Sequence, residues 1–186
     1  AALEELNRAA RRIEDSRNEG ISRDVNRLAE QAQRLQERQQ RVAEDVRRMQ
    51  GATGADRAAR QRALGAEKDA LNAEVQKVEA EADRLAREGR RDQPGASREL
   101  REAAEALRDQ RVRDKIEFSK NVMRGGSNEY ANAFEEQIGA NIGEAAENLR
   151  EAVTALSGES AERRQERTLE SARELVRGME ALRDRM

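Results

Sequence analysis

Chemistry in this chain would have to come from carboxylates, guanidinium groups and four lysines (Lys68, Lys77, Lys115 and Lys120), because it contains neither histidine nor cysteine. That composition removes the commonest nucleophile–base pairs and the usual zinc ligands. Di-iron sites in helical proteins need Glu-x-x-His pairs, which cannot occur. No glycine-rich loop leads into Lys-Ser or Lys-Thr, and neither an EF-hand nor a dinucleotide fingerprint is present. Gly51-Ala52-Thr53-Gly54 reads as a helix–helix turn. The 38 acidic residues meet by chance on helical surfaces, and most belong to solvated faces or to i,i+4 pairs with arginine. Even that pattern has gaps, since Glu102 faces Ala106 one turn on. Arg124-Gly125-Gly126 resembles one unit of an RNA-binding repeat but is not repeated, and reads as a turn. The expectation is no catalytic residue, no cofactor, no metal and no small-molecule substrate.

The elements that would carry these residues follow from composition. Charged residues make up 40% of the 186 and aromatics 2%, with a single proline. Such a balance, dominated by Ala, Leu, Glu, Arg and Gln, is that of long helices or coiled coils. Disorder shares the low hydropathy and high charge. Against it, the charges nearly cancel at −2 and the apolar residues recur at helical spacing. A pI near 5.6 gives no general attraction to nucleic acid or anionic membrane. The arginine pairs at 11–12, 47–48, 90–91 and 163–164 are offset by nearby acids. No apolar run is long enough to span a bilayer. The chain opens Ala1-Ala2-Leu3 without an initiator Met and is expected to be a piece of a longer protein.

Breakers divide the chain into helical segments: a soft one at Gly20, then Gly51–Gly54, Gly89–Ala96 with Pro94, Gly125-Gly126, and Ser157-Gly158. The second segment carries Val25, Leu28, Ala32, Leu35, Gln39, Val42, Val46 and Met49 at uninterrupted 3-4 spacing, the seam of a coiled coil. Gln39 is its one polar member, read as lying at a wet edge rather than as a buried register device. The third repeats the pattern through Leu64, Leu71, Val75, Val78, Ala82 and Leu85, with Lys68 at a seam position. The fourth is expected to begin at Ser97 as N-cap and to run through Leu100, Ala104 and Leu107, then to drift to Val112, Ile116 and Met123. The last, opening near Ser160, carries Leu169, Ala172, Val176, Met179, Leu182 and Met186. The first carries Leu3, Leu6, Ala10 and Ile13. From Ile13 to Val25 is twelve residues, one more than an unbroken seam gives, so either the helix skips a residue around Asn18-Glu19-Gly20 or it stops and Ser22 caps a new one, and the break is the expectation favoured.

From Ile116 to Gly143 the composition changes: only six residues are charged, and all three aromatics (Phe118, Tyr130 and Phe134) fall here. The fifth helix is apolar or small around most of its circumference, and Phe134-Ile138-Ile142-Ala145 reads as a 4-4-3 stutter. Gly139 and Gly143 suggest close approach of another helix backbone. The bland reading makes this the central helix, with aromatics plugging one end. The functional reading makes Phe118, Met123, Tyr130, Phe134, Ile138, Gly139, Ile142 and Gly143 a docking window for a partner or a second copy.

A narrow stripe cannot be buried by one helix, so the segments must pack on each other. The fold expected is all-α, an antiparallel helical bundle or coiled-coil-like array of five to six long helices. It would form one module across 1–186, with possible sub-units 1–92 and 97–186 about the Gly89–Ala96 linker. A tetratricopeptide array is rejected because one helix fills each period where that repeat places two. The function expected is a non-enzymatic structural, spacing or protein-interaction element with a protein partner or self-association. A membrane-surface-binding amphipathic helical domain is the alternative, disfavoured by Ala-rich faces bordered by both signs of charge.

Overall fold

Alanine, leucine, glutamate, arginine and glutamine lose little on entering a helix, and the chain is helical almost throughout. The computed structural model describes residues 2–183, apart from the side chains of residues 2, 4, 7, 50, 128, 163, 164, 171, 174, 178, 181 and 182. The elements are α1 (Ala2–Arg48), a 3-10 turn (Met49–Gly51), α2 (Gly54–Gly89), α3 (Pro94–Asp109), α4 (Val112–Arg124) and α5 (Asn128–Arg183). Among the described residues there is no strand.

The helix count corrects the expected five to six. α3 and α4 both lie between α2 and α5 and follow one another as two halves of a single rod, so the described residues form four rods. Two expected breaks are absent, at Gly20 and at Ser157-Gly158. A lone glycine costs a helix about 1 kcal/mol relative to alanine, which long flanking stretches of strong helix formers absorb. Ser157 Oγ donates to Val153 O at 3.2 Å, a bond made inside the helix. One break was not expected: Gln110-Arg111 has neither glycine nor proline, yet Arg111 sits in the left-handed region at φ 51°.

The other turns use ordinary turn chemistry. Pro94 opens α3 at a position where its missing N–H costs nothing. Ser97 is therefore inside α3 and not its N-cap; its Oγ donates to Ala86 O at 2.6 Å and ties the start of α3 to the end of α2. Gly126, at φ +87°, closes the α4–α5 turn, where Gly126 N donates to Met123 O and Ser127 N to Val122 O.

Each rod touches two others: α1 lies against α2 and α5, and the α3–α4 rod lies against the same two. Ion pairs along the seams set the directions. Arg38 meets Glu67 and Glu74 while Arg84 meets Asp24, so α1 and α2 are antiparallel. Arg108 meets Glu79 and Asp83 while Lys120 meets Asp69, so the α3–α4 rod runs against α2. Gly95 N donates to Glu159 Oε1 at 2.8 Å and Lys115 Nζ to Asn141 Oδ1 at 3.0 Å, which sets α5 against that rod in turn.

Buried residues mark the seams. In α1 they are Ile21, Val25, Leu28, Ala32, Leu35, Gln39, Val42 and Val46, continued by Met49 of the 3-10 turn; in α2, Leu64, Lys68, Leu71, Val75, Val78, Ala82 and Leu85. In α5 the seam is Ala131, Glu135, Ile138, Ile142, Ala145, Leu149, Ala152 and Leu156, an unbroken 4-3 alternation. The expected stutter is thus absent, because Glu135 and not Phe134 holds the seam position. Each fully buried Leu, Ile or Val contributes about 1.5–3 kcal/mol relative to exposure.

Past the α2–α3 turn the cross-section halves. Arg17 Nη2 donates to Glu88 O at 3.2 Å and Gln93 Nε2 to Asn18 O at 3.4 Å, the last ties of α1 to that end of the molecule. Beyond them, among the described residues, only α1 and α5 continue, joined by Arg167 and Asp15. No break occurs near Gly20, so the extra residue between Ile13 and Val25 turns the stripe by about 100° around a continuous α1.

Candidate functional site

Three features stand out: one polar layer inside the core, an aromatic patch at the closed end, and bare apolar stripes at the open end.

The polar layer takes one residue from each rod: Gln39 from α1, Lys68 from α2, Ser119 from α4 and Glu135 from α5. All four are buried, Lys68 at 0% exposure and Glu135 at 2%. Each occupies a seam position of an otherwise apolar heptad, and antiparallel pairing brings the four to one level. Lys68 Nζ donates to Glu135 Oε1 and, at 3.1 Å, to Ser119 Oγ. Ser119 Oγ donates to the same Glu135 oxygen. Gln39 Nε2 donates to Glu135 Oε2 at 2.9 Å and to the Glu135 backbone carbonyl at 3.2 Å. Both carboxylate oxygens are therefore satisfied, while Gln39 Oε1 is buried without a partner. Burial pushes the Lys68 ammonium below its ordinary value, opposed by the adjacent Glu135 carboxylate. The layer divides the core into two apolar clusters: Val42, Val46, Met49, Leu64, Met123 and Ala131 on the closed-end side, and the larger remainder on the other.

Gln39 is thus a core residue, not a wet-edge one, because its amide is the donor that completes the coordination of Glu135. Lys68 was readable at a seam position. Glu135 and Ser119 were missed: the stripe was drawn through Phe134, one residue before Glu135, and Ser119 was not singled out. The available signal was the heptad itself, since Ala131 and Ile138 bracket Glu135 at 4-3 spacing.

The proposed docking window is divided by the fold. Met123, Ile138 and Ile142 are fully buried, and Gly139 and Gly143 are partly buried against α1. What approaches the two glycines is side chain, not backbone: Gln39 Cγ lies 4.0 Å from where a Gly139 Cβ would be, and Gln36 Nε2 lies 3.3 Å from that of Gly143. The aromatic members reach the surface. Phe118 is 53% exposed and Tyr130 67%, while Phe134 is half-buried with its ring centroid 4.8 Å from that of Phe118 at a tilt of 57°. A tilted pair at that separation is a favourable aromatic contact.

At the open end, Leu3, Leu6 and Ile13 of α1 and Leu169, Leu175, Val176 and Met179 of α5 are all exposed. Leu3, Leu6, Ala10 and Ile13 follow 3-4-3 spacing, as do Leu169, Ala172, Val176 and Met179. Both stripes were expected to be buried seams, and both are bare because α2 and α3 end before reaching them. The Leu182 side chain and Met186, expected to extend the second stripe, lie outside what is described.

The rims of the rods carry ion pairs. Arg84 bonds Glu81 and Glu88 on its own helix, and the Lys120 ammonium is held above its usual range by its bond to Asp69. The half-exposed Arg84 pairs contribute about 0–1 kcal/mol each and act more on register than on stability, whereas the Lys120 side chain is itself buried. Among the described residues no group of three or more carboxylates is placed to hold a metal ion, and no helix is long and apolar enough to cross a membrane. Comparison with protein-family models, with curated proteins and with solved structures found no match to this chain.

Proposed function

We propose that the chain is a non-enzymatic structural module: an up-down bundle of four antiparallel rods that holds two apolar contact surfaces at a set separation. The observation that supports this reading is the distribution of exposed large apolar side chains. Among the described residues every one of them lies at an end, Phe118 and Tyr130 near the α4–α5 turn and the other seven beyond the α2–α3 turn. The shaft between is sealed. From Tyr130 to Leu169 along α5 is roughly 60 Å at helical rise. Apolar surface gathered in this way marks contact sites, whereas scattered single residues do not.

The mechanism is geometric. Heptad seams make the shaft stiff, the polar layer penalises any slippage of one rod past another, and partners engage the ends. Across 1–186 the chain acts as one module, since Leu35, Leu71, Leu100 and Ile142 share a single apolar cluster.

Stiffness is the testable part. Spin labels on Glu129→Cys and Glu166→Cys, in a chain with no other cysteine, should lie about 55 Å apart by pulsed dipolar spectroscopy. A narrow distance distribution is expected in samples diluted with unlabelled protein. A broad distribution, or a mean far shorter, would remove the spacer reading.

A further inference from the structure

We infer that the open end is a self-association surface, and that a second copy of this chain covers it by laying its own α1–α5 pair across the first in a two-fold, end-to-end dimer. The inference rests on the reading of the open end as a contact surface and names its occupant.

Three observations choose a second copy. The body itself demonstrates what stripes of this kind require: wherever α1 and α5 are sealed, two further antiparallel helices lie against them. Beyond Arg17 and Glu159 those two are missing, and one more copy supplies two helices bearing the same 3-4-3 stripes. An isologous contact sets the same patch against itself, and apolar stripes of one spacing on both copies suit that. Charge permits it as well: residues 2–17 hold four acids and four arginines, and residues 161–183 hold five acids and six arginines. The open end therefore carries a net charge of only +1, so a like copy meets little repulsion, and acids and arginines can pair at the rim.

Area is the third. Seven large apolar side chains are bare in each copy, between 49% exposed at Val176 and 74% at Leu3. Together they present on the order of 800 Å², about one partner's share of a stable interface. The α5 extension is about 35 Å long and that of α1 about 22 Å, long enough for several turns to overlap.

The test begins with sedimentation velocity on the full chain between about 1 and 100 μM, a range that brackets micromolar self-association. A concentration-dependent dimer is expected. The double variant Leu175→Glu/Val176→Glu should weaken it at least tenfold while helicity and the melting midpoint stay close to wild type. Should that variant lose structure, location can be read without it. A single spin label at Glu166→Cys should report a resolved distance between copies, and one at Glu129→Cys should not, because the closed ends then lie far apart. A monomer throughout the range overturns the inference, as does a dimer in which Glu129→Cys and not Glu166→Cys gives the resolved distance. A monomer that pellets with anionic phosphatidylserine vesicles would instead assign the open end to a membrane surface. None of these outcomes alters the diluted-label distance along α5, so the spacer reading and the dimer fail separately.

Discussion

Lys68 and Glu135 face each other with almost no water access, and their worth depends on what replaces them. Removing one partner strands a buried charge. Lys68→Met should cost about 3–5 kcal/mol, measured by urea unfolding followed by circular dichroism. Replacing both, as Lys68→Met/Glu135→Leu, leaves no stranded charge but takes the Glu135 partner from the buried Gln39 amide and Ser119 hydroxyl, so it should cost less than the single variant, about 1–3 kcal/mol. What the pair supplies is register, since sliding one rod by a heptad would set Lys68 or Glu135 against leucine and valine. The sign of the alkaline dependence follows from the Lys68 shift. Its proton leaves the folded chain at lower pH than the unfolded one, so the unfolded state binds more protons between the depressed value and the ordinary 10.5. Across that window wild type should gain stability relative to the double apolar variant as pH rises. A difference that stays flat or falls would contradict the burial argument. At this scale the sequence was half readable: Gln39 and Lys68 stood out as polar members of apolar seams, while Glu135 and Ser119 did not.

Glycines separate the elements whose spacing decides their breaks from those whose packing does. Gly20 and Gly65 lie inside helices, and a methyl group at either meets nothing within 4 Å. Gly20→Ala and Gly65→Ala should each stabilise by about 0.5–1 kcal/mol in thermal or urea melts. Gly95 differs, because a Cβ there would sit 2.8 Å from Glu159 Oε1, the acceptor of the Gly95 amide. Gly95→Ala should therefore destabilise by about 1 kcal/mol, as that bond is displaced. Arg111 holds a left-handed conformation without being glycine, and Arg111→Gly should raise stability by about 1 kcal/mol in the same melts. The breaks at Gly51–Gly54, Gly89–Ala96 and Gly125-Gly126 were readable because flexible or proline-containing stretches coincide there with lost periodicity. Gly20 and Ser157-Gly158 misled because a weak helix former alone does not end a helix supported on both sides. The Gln110-Arg111 break showed only as the drift of the stripe from Leu107 to Val112, since neither residue is a breaker.

For the molecule as a whole, the sealed shaft and bare open end imply that the two parts are separable. A fragment spanning residues 17–160 should retain cooperative unfolding with a midpoint near that of the full chain, and calorimetry of the two would check it. Collapse of the fragment would mean that the open-end helices support the shaft. Heptad spacing, helix formation and the lack of histidine and cysteine are properties of neighbouring residues, so the all-α class and most buried positions could be read along the chain. Which polar seam residues meet is another matter. Gln39 and Glu135 are 96 residues apart, and their meeting depends on the lengths of the intervening turns and on the direction of every rod between them. Nor does a local pattern say where a neighbouring rod stops. The stripes at Leu3–Ile13 and Leu169–Met179 have the same spacing as the buried seams, and they are bare only because α2 and α3 turn back before covering them.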